Sequence, residues 1–256
     1  MLLSKMLAMC ANYIPVTAGD RMLTWFGIER DFKTELPPEA WPTGVAPFIR
    51  LNEKGKLEAF KGHFGLLPHW CKEVAYGRRT YNARSETVHS LPSFRDAWRR
   101  GQRCIVPSEV IFEPNYESGV PVRWEIKQES GAPMGIAGVY SKSRDAEGNT
   151  RESFALVTVN ADDHPLMKRF HKPGDEKRMV VVLAPADYDA WLTCAVEEAP
   201  RYFRQWMGPL AAAPRPLPPR ASKGKVAVPR PDIDGVPASP LEPPGKDVKP
   251  QSGDLF

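Results

Sequence analysis

Cysteine, long apolar runs and excess charge are all scarce in this chain, and each shortage removes a class of protein. Its 256 residues hold four cysteines, Cys10, Cys71, Cys104 and Cys194. They are scattered, with no C-x-x-C pair and no histidine at finger spacing. Neither a structural zinc site nor a disulfide framework is expected, and a reducing cytoplasm suits such usage. No apolar stretch approaches the roughly 20 residues that span a bilayer, so no membrane partner is expected. A net charge of +4 suits a polyanion partner without demanding one.

What remains is an ordinary globule with a tail. Hydrophobic residues make up 42% and aromatics 10% of the chain, enough for one substantial core. Residues 122–126, 134–140, 153–160 and 179–184 are rich in Val, Ile, Phe and Trp and read as strands. Pro92-Ser93 gives a cap-like start to a helix over 94–100 that stops at Gly101. A second helix is expected after Pro185-Ala186-Asp187, with apolar side chains at helical spacing over 188–192. Strands outnumber helices and do not alternate with them, which favours an α+β fold with a mostly antiparallel sheet. From 211 to 249 the chain is dominated by Pro, Ala, Lys and Arg. Such a stretch buries too little surface to offset its ordering entropy and is expected to be disordered.

The start of the chain needs its own reading. Lys5 interrupts the apolar stretch of the first residues, and Met9 is not the small residue that precedes a lipoprotein cysteine. A true start at Met9 is the simpler account. Trimming that methionine makes Cys10 residue one, with an α-amine and a thiol on adjacent carbons. Their ordinary pKa values, about 8 and 8.5, leave a useful fraction of neutral amine near neutral pH. Such a pair captures an aldehyde as a five-membered thiazolidine, because ring closure is intramolecular.

Four downstream segments carry groups that this chemistry wants. They are Tyr81-Asn82-Ala83-Arg84-Ser85-Glu86-Thr87, Arg103-Cys104-Ile105-Val106-Pro107, Phe112-Glu113, and Phe170-His171-Lys172-Pro173 leading to Arg178-Met179. An Asn amide hydrogen-bonds an amine or a sugar oxygen without protonating the nucleophile. The Arg84 guanidinium suits a phosphate, with Glu86 as an alternative, structural partner. A Glu shuttles protons, and a His titrates near neutral pH.

Together with Met9-Cys10-Ala11, these segments resemble the SRAP (SOS response-associated peptidase) family, over roughly residues 10–203. The resemblance implies cross-linking to abasic sites in single-stranded DNA, without metal or cofactor. It maps Cys10, Asn82, Glu113 and His171 to catalytic positions, with His164 as the alternative histidine. It also implies self-removal of the residues before Cys10 with Glu113 as base, and it allows weak strand incision by β-elimination. Phe64-Gly65-Leu66-Leu67-Pro68-His69-Trp70 resembles the family's Trp-Gly-Leu-Ile-Pro-x-Trp. Phe64 and Trp70 are therefore candidates to stack on bases, with burial in the core as the competing reading. Arg78, Arg79 and Arg84 are candidates to track phosphates.

The chain departs from the pattern elsewhere as well. Val110 stands for a Gly, Pro114 for a Trp, Asn12 for an Arg, and extra residues separate His171 from Arg178. Gln251, Leu255 and Phe256, at the end of the tail, resemble the short peptides by which bacterial repair proteins engage the sliding clamp.

The expected fold is α+β, a single domain with a mostly antiparallel, barrel-like β-sheet core and short flanking helices. Residues 1–9 form a leader absent from the mature protein, 10–208 the domain, and 209–256 the disordered tail. The protein is expected to act as a monomer at the nucleoid. Two other classes stay open. An N-terminal-nucleophile amidohydrolase attacks through sulfur and survives acetylation of the amine. A non-catalytic single-strand binding module ignores Cys10→Ala.

Overall fold

The computed structural model describes residues 11–218. Cys10 and the clamp-like Gln251, Leu255 and Phe256 lie outside the described residues. Five strands close a ring: β2 (Val45–Leu51), β3 (Leu57–Phe64), β5 (Arg103–Asn115), β7 (Met134–Arg144) and β8 (Thr150–Asn160). The ring closes because β5 pairs with both β2 and β7, while β8 pairs with both β3 and β7. Every pairing in it is antiparallel except β3 with β8. Phe48, Phe64 and Phe154 are fully buried and lie ring against ring. Each such side chain contributes roughly 1.5–3 kcal/mol by leaving water.

Six shorter strands extend this barrel. β1 (Asn12–Pro15) pairs with β5, β4 (Asn82–Arg84) with β8, and β6 (Val122–Gln128) with β5. The stretch read as one strand over 179–184 is two, β9 (Arg178–Val180) on β8 and β10 (Val182–Leu183) on β7. Val181 makes the switch, since its N–H goes to Val157 in β8 and its carbonyl accepts from Ala137 in β7.

The sixth, β11 (Leu210–Pro214), corrects the expected boundary at 208 and the expected disorder from 211. It lies antiparallel on β6, from Leu210 beside Gln128 to Pro214 beside Trp124. Alanine buries little, so composition gives no sign of a strand whose hold comes from backbone hydrogen bonds.

The helices are short, α1 (Gly19–Phe26), α2 (Arg95–Arg99) and α3 (Tyr188–Thr193). Ser93 does not cap α2, which has no side-chain cap. Its hydroxyl bonds the Tyr76 hydroxyl at 2.7 Å instead, tying a 3₁₀ turn over Val74–Arg79 to the loop that leads into α2. That turn presses on the end of β3 at two glycines. Gly65 has φ +119°, and a Cβ there would meet the Gly77 carbonyl oxygen at 2.3 Å. No helix of the described residues is long and apolar enough to cross a membrane.

Candidate active site

The site is built at the far end of β5. Glu113 is 1% exposed and stands beside Trp124 of β6. Val110 and Pro114, the departures from the resembled segment, lie within the same continuous strand and do not break it. The Pro114 carbonyl is put to use, accepting the His171 N–H at 2.9 Å. Asn115 adds a second tie, donating its amide to the Arg169 carbonyl at 3.2 Å. These contacts hold His171 in the left-handed region, at φ +63°. That conformation costs an L-residue roughly 1–2 kcal/mol, and such strain clusters at functional sites.

So held, the His171 ring meets Glu113 with Nε2 at 3.0 Å from Oε2. Its other nitrogen, Nδ1, accepts the Arg178 backbone N–H at 3.3 Å. The neutral ring therefore carries its proton on Nε2 and donates it to Glu113. Burial, the largest single influence on His171, pulls its pKa down. The charge of Glu113 and the hydrogen bond to it outweigh that, and the net direction is up. A second proton, on Nδ1, would face the Arg178 amide hydrogen. That amide contact is long for a hydrogen bond, so the buried charge pair prevails.

Arg178 is itself 1% exposed and fully engaged. Its guanidinium reaches Glu86 at 2.9 and 3.1 Å, Glu176 at 2.6 Å and the Thr158 carbonyl at 2.8 Å. Glu86 thus pairs with Arg178 and not with Arg84. Arg84, at the end of β4, donates to the other Glu176 oxygen at 3.0 Å. Glu176 belongs to the extra residues after His171, so that insertion brings an acid onto both arginines.

A pocket of about 240 Å³ opens in front of Glu113, lined by Ala11, Asn12, Trp41, Phe112, Pro114, Pro121 and Arg123 as well. Ala11 is bonded directly to Cys10. β1 pairs Asn12 with Phe112, so one step outward Ala11 stands level with Glu113. Cys71, Cys104 and Cys194 are free, but Cys104 is fully buried, and that burial pushes its thiol well up, away from reactivity.

This chain matches the SOS response associated peptidase (SRAP) family over residues 9–215. It belongs to that family. It is 28% identical to the abasic site processing protein YoaM of Bacillus subtilis, over 80% of this chain and 87% of that protein. With the abasic site processing protein YobE of the same organism identity is 31%, over 72% of this chain and 82% of that protein. A crystal structure of a Bordetella bronchiseptica protein superposes with TM-score 0.75 at 35% identity, covering 81% of this chain and all of that one. Another, from Bacteroides thetaiotaomicron, shares the fold with TM-score 0.63 at 22% identity, covering 79% and 90%.

Within this family member the remaining candidates are spread along β8, Asn82 and Arg84 toward its end and Trp70 near its start, where the carbonyls of the next two residues, Cys71 and Lys72, accept Arg151. Asn82 is buried in β4 beside Leu156, and Arg84 lies beside Thr158. Arg84 reaches His171 only indirectly, since Glu176 joins it to Arg178, whose amide meets the imidazole. Trp70 is 49% exposed and packs edge-on against Tyr76 at 5.4 Å. Arg78 and Arg79 are exposed, and Arg79 lies 6.0 Å from the Tyr76 ring.

Phe64 is a correction: it is fully buried, edge-on to Tyr13 and stacked on Phe154. It faces into the barrel and cannot meet a base. His164 is structural as well, its Nδ1 accepting the Leu166 and Met167 amides and its Nε2 meeting the Trp206 carbonyl. Sequence reasoning missed Trp41, Glu39 and Arg123. Arg123 lies 3.3 Å over the Phe112 ring, bound to Glu39 at 2.7 Å and to the Asn12 amide oxygen. Those partners lie too far apart in sequence to form any local pattern.

Proposed function

We propose that this protein captures abasic sites in single-stranded DNA as a covalent thiazolidine on Cys10, freed as the first residue of the mature chain. One observation carries the reading. A buried Glu113–His171 pair, 3.0 Å apart, borders a pocket that Ala11, the neighbour of Cys10, also lines. The names of the Bacillus relatives point to the same substrate.

The opened abasic sugar presents an aldehyde. The Cys10 amine adds to that carbon, and one water leaves to give an imine. The thiolate then bonds the same carbon, and the imine nitrogen takes up a proton to complete the ring. Glu113 receives the proton of the attacking amine and returns it to the departing hydroxyl. His171 holds Glu113 through Nε2–H and serves the sugar oxygen during ring opening and reversal. Asn82 orients the amine or the sugar oxygen. Trp70 stacks on a base while Arg78, Arg79 and Arg84 follow phosphates.

Self-removal of residues before Cys10, with Glu113 as base, and weak β-elimination from the imine belong to the same proposal. So do action as a monomer at the nucleoid, a tail beyond the domain and recruitment to the sliding clamp through Gln251, Leu255 and Phe256.

Intact-mass measurement tests it. Mixing the protein with an abasic oligonucleotide should give an adduct equal to the summed masses less one water, and Cys10→Ala should abolish it. Residues before Cys10 still attached in cross-linking-competent protein would rule the ring out.

A further inference from the structure

We infer that Trp41 is the shelf on which the nucleobase beside the abasic sugar stacks. The inference rests on the abasic-site reading and adds a recognition element to it. Trp41 is 42% exposed yet walls the pocket that ends at Glu113, together with Phe112, Pro114 and Pro121. An exposed indole over such a pocket is a poor core residue and a good platform for a heteroaromatic ring.

The shelf is pinned. Ala40 exchanges two backbone hydrogen bonds with Tyr13 of β1, at 2.8 and 3.2 Å. The Trp41 carbonyl accepts the Gly44 N–H at 2.8 Å, and the Thr43 N–H goes to Phe64 at 2.6 Å. With the backbone held this way and the Arg123 guanidinium 5.9 Å from the indole ring, only the side-chain torsions of Trp41 are left to settle when a ligand arrives.

The pocket's charge selects a base over a phosphate. Its cation, Arg123, is already neutralised by Glu39 and lies flat on Phe112. Among the described residues that line it, no unpaired positive charge is left for an anion, and about 240 Å³ accommodates one ring system. Two departures from the resembled pattern, Pro114 for Trp and Asn12 for Arg, are thereby answered in space. Trp41 brings an aromatic back to the mouth of the site, and Arg123 brings a guanidinium back to Asn12.

Binding and adduct formation of wild type, Trp41→Ala and Trp41→Phe test this on two oligonucleotides. One carries a single abasic site between ordinary bases, and the other has abasic positions in place of the flanking bases too. On the first, Trp41→Ala should bind roughly tenfold more weakly while Trp41→Phe stays near wild type. On the second, all three should bind alike. Equal binding by Trp41→Ala on the first strand, or an equal loss on both strands, overturns the role of Trp41 and leaves the abasic-site reading standing. No adduct with wild type on either strand overturns that reading itself and the shelf with it.

Discussion

The backbone N–H of Arg178 points at Nδ1 of His171 from 3.3 Å, and this contact decides which imidazole nitrogen faces Glu113. A backbone donor cannot change its role, so the neutral ring must present Nε2–H to the carboxylate. The amide is fixed in turn because the Arg178 side chain is buried and bound to Glu86, Glu176 and Thr158. Ion pairs remote from the reacting carbon thus set the tautomer beside it, much as outer partners orient histidines elsewhere.

If Glu113 and His171 act as one unit, their losses should not add. Glu113→Gln keeps shape and removes the base, and should slow adduct formation by roughly 10²–10⁴-fold. His171→Gln should slow it less, and the double variant should match Glu113→Gln within a few-fold. Single-turnover rates of adduct formation at one pH decide this. A double variant slower by the product of the two single losses would mean that the groups work independently.

The same pair makes a pH prediction about stability. Glu113 raises the His171 pKa above its ordinary 6.5. The folded state therefore binds this proton more tightly than the unfolded chain. The stabilisation is fully present below about pH 6.5 and fades as pH rises through the raised value. Urea midpoints of wild type and His171→Gln, compared at about pH 6 and pH 9, should differ more at the lower pH. A constant difference across that window would remove the charged pair from the account.

The candidate site was more legible in the sequence than its surroundings. Glu113 and His171 stand in motifs that keep them in order along the chain, and the structure brings the two together at 3.0 Å. Two of the five barrel strands, β7 and β8, announced themselves through β-branched and aromatic runs, whereas β2, β3 and β5 were not read as strands. Phe64 and Trp70 illustrate the limit. Both are aromatic and share a motif, yet one is fully buried and the other is 49% exposed, because only one points into the barrel. Arg123 finds Glu39 84 positions away and Asn12 111 away, a distance over which no periodicity carries information. β11 was invisible for a different reason, since alanines on a sheet edge carry no hydrophobic alternation to read.

The contact between Gly65 and Gly77 should tolerate no side chain. Gly65→Ala introduces a Cβ 2.3 Å from the Gly77 carbonyl oxygen at φ +119°, and backbone on both sides has little room to give. We expect a loss of about 2–4 kcal/mol in urea unfolding. The turn carrying Arg78 and Arg79 should also loosen, read as faster amide exchange over 74–79. Wild-type stability in Gly65→Ala would show that the close approach is dispensable.

Glu176 competes with whatever Arg84 is meant to bind. Its carboxylate holds Arg84 at 3.0 Å and Arg178 at 2.6 Å, and both acid and Arg84 are about a third exposed. A phosphate arriving at Arg84 must displace or share that acid. Exposed pairs of this kind are worth little, roughly 0–1 kcal/mol, so a polyanion can win the exchange at modest cost. Glu176→Gln should therefore tighten single-strand binding by about two- to fivefold at low salt, with the gain shrinking as salt screens the charges. Arg84→Ala should weaken binding and lower the salt slope by about one. In the Arg84→Ala background, Glu176→Gln should gain far less. Salt titrations of the four proteins against one oligonucleotide separate the cases. If Glu176→Gln gains equally with and without Arg84, the acid acts on the strand directly and does not guard that arginine.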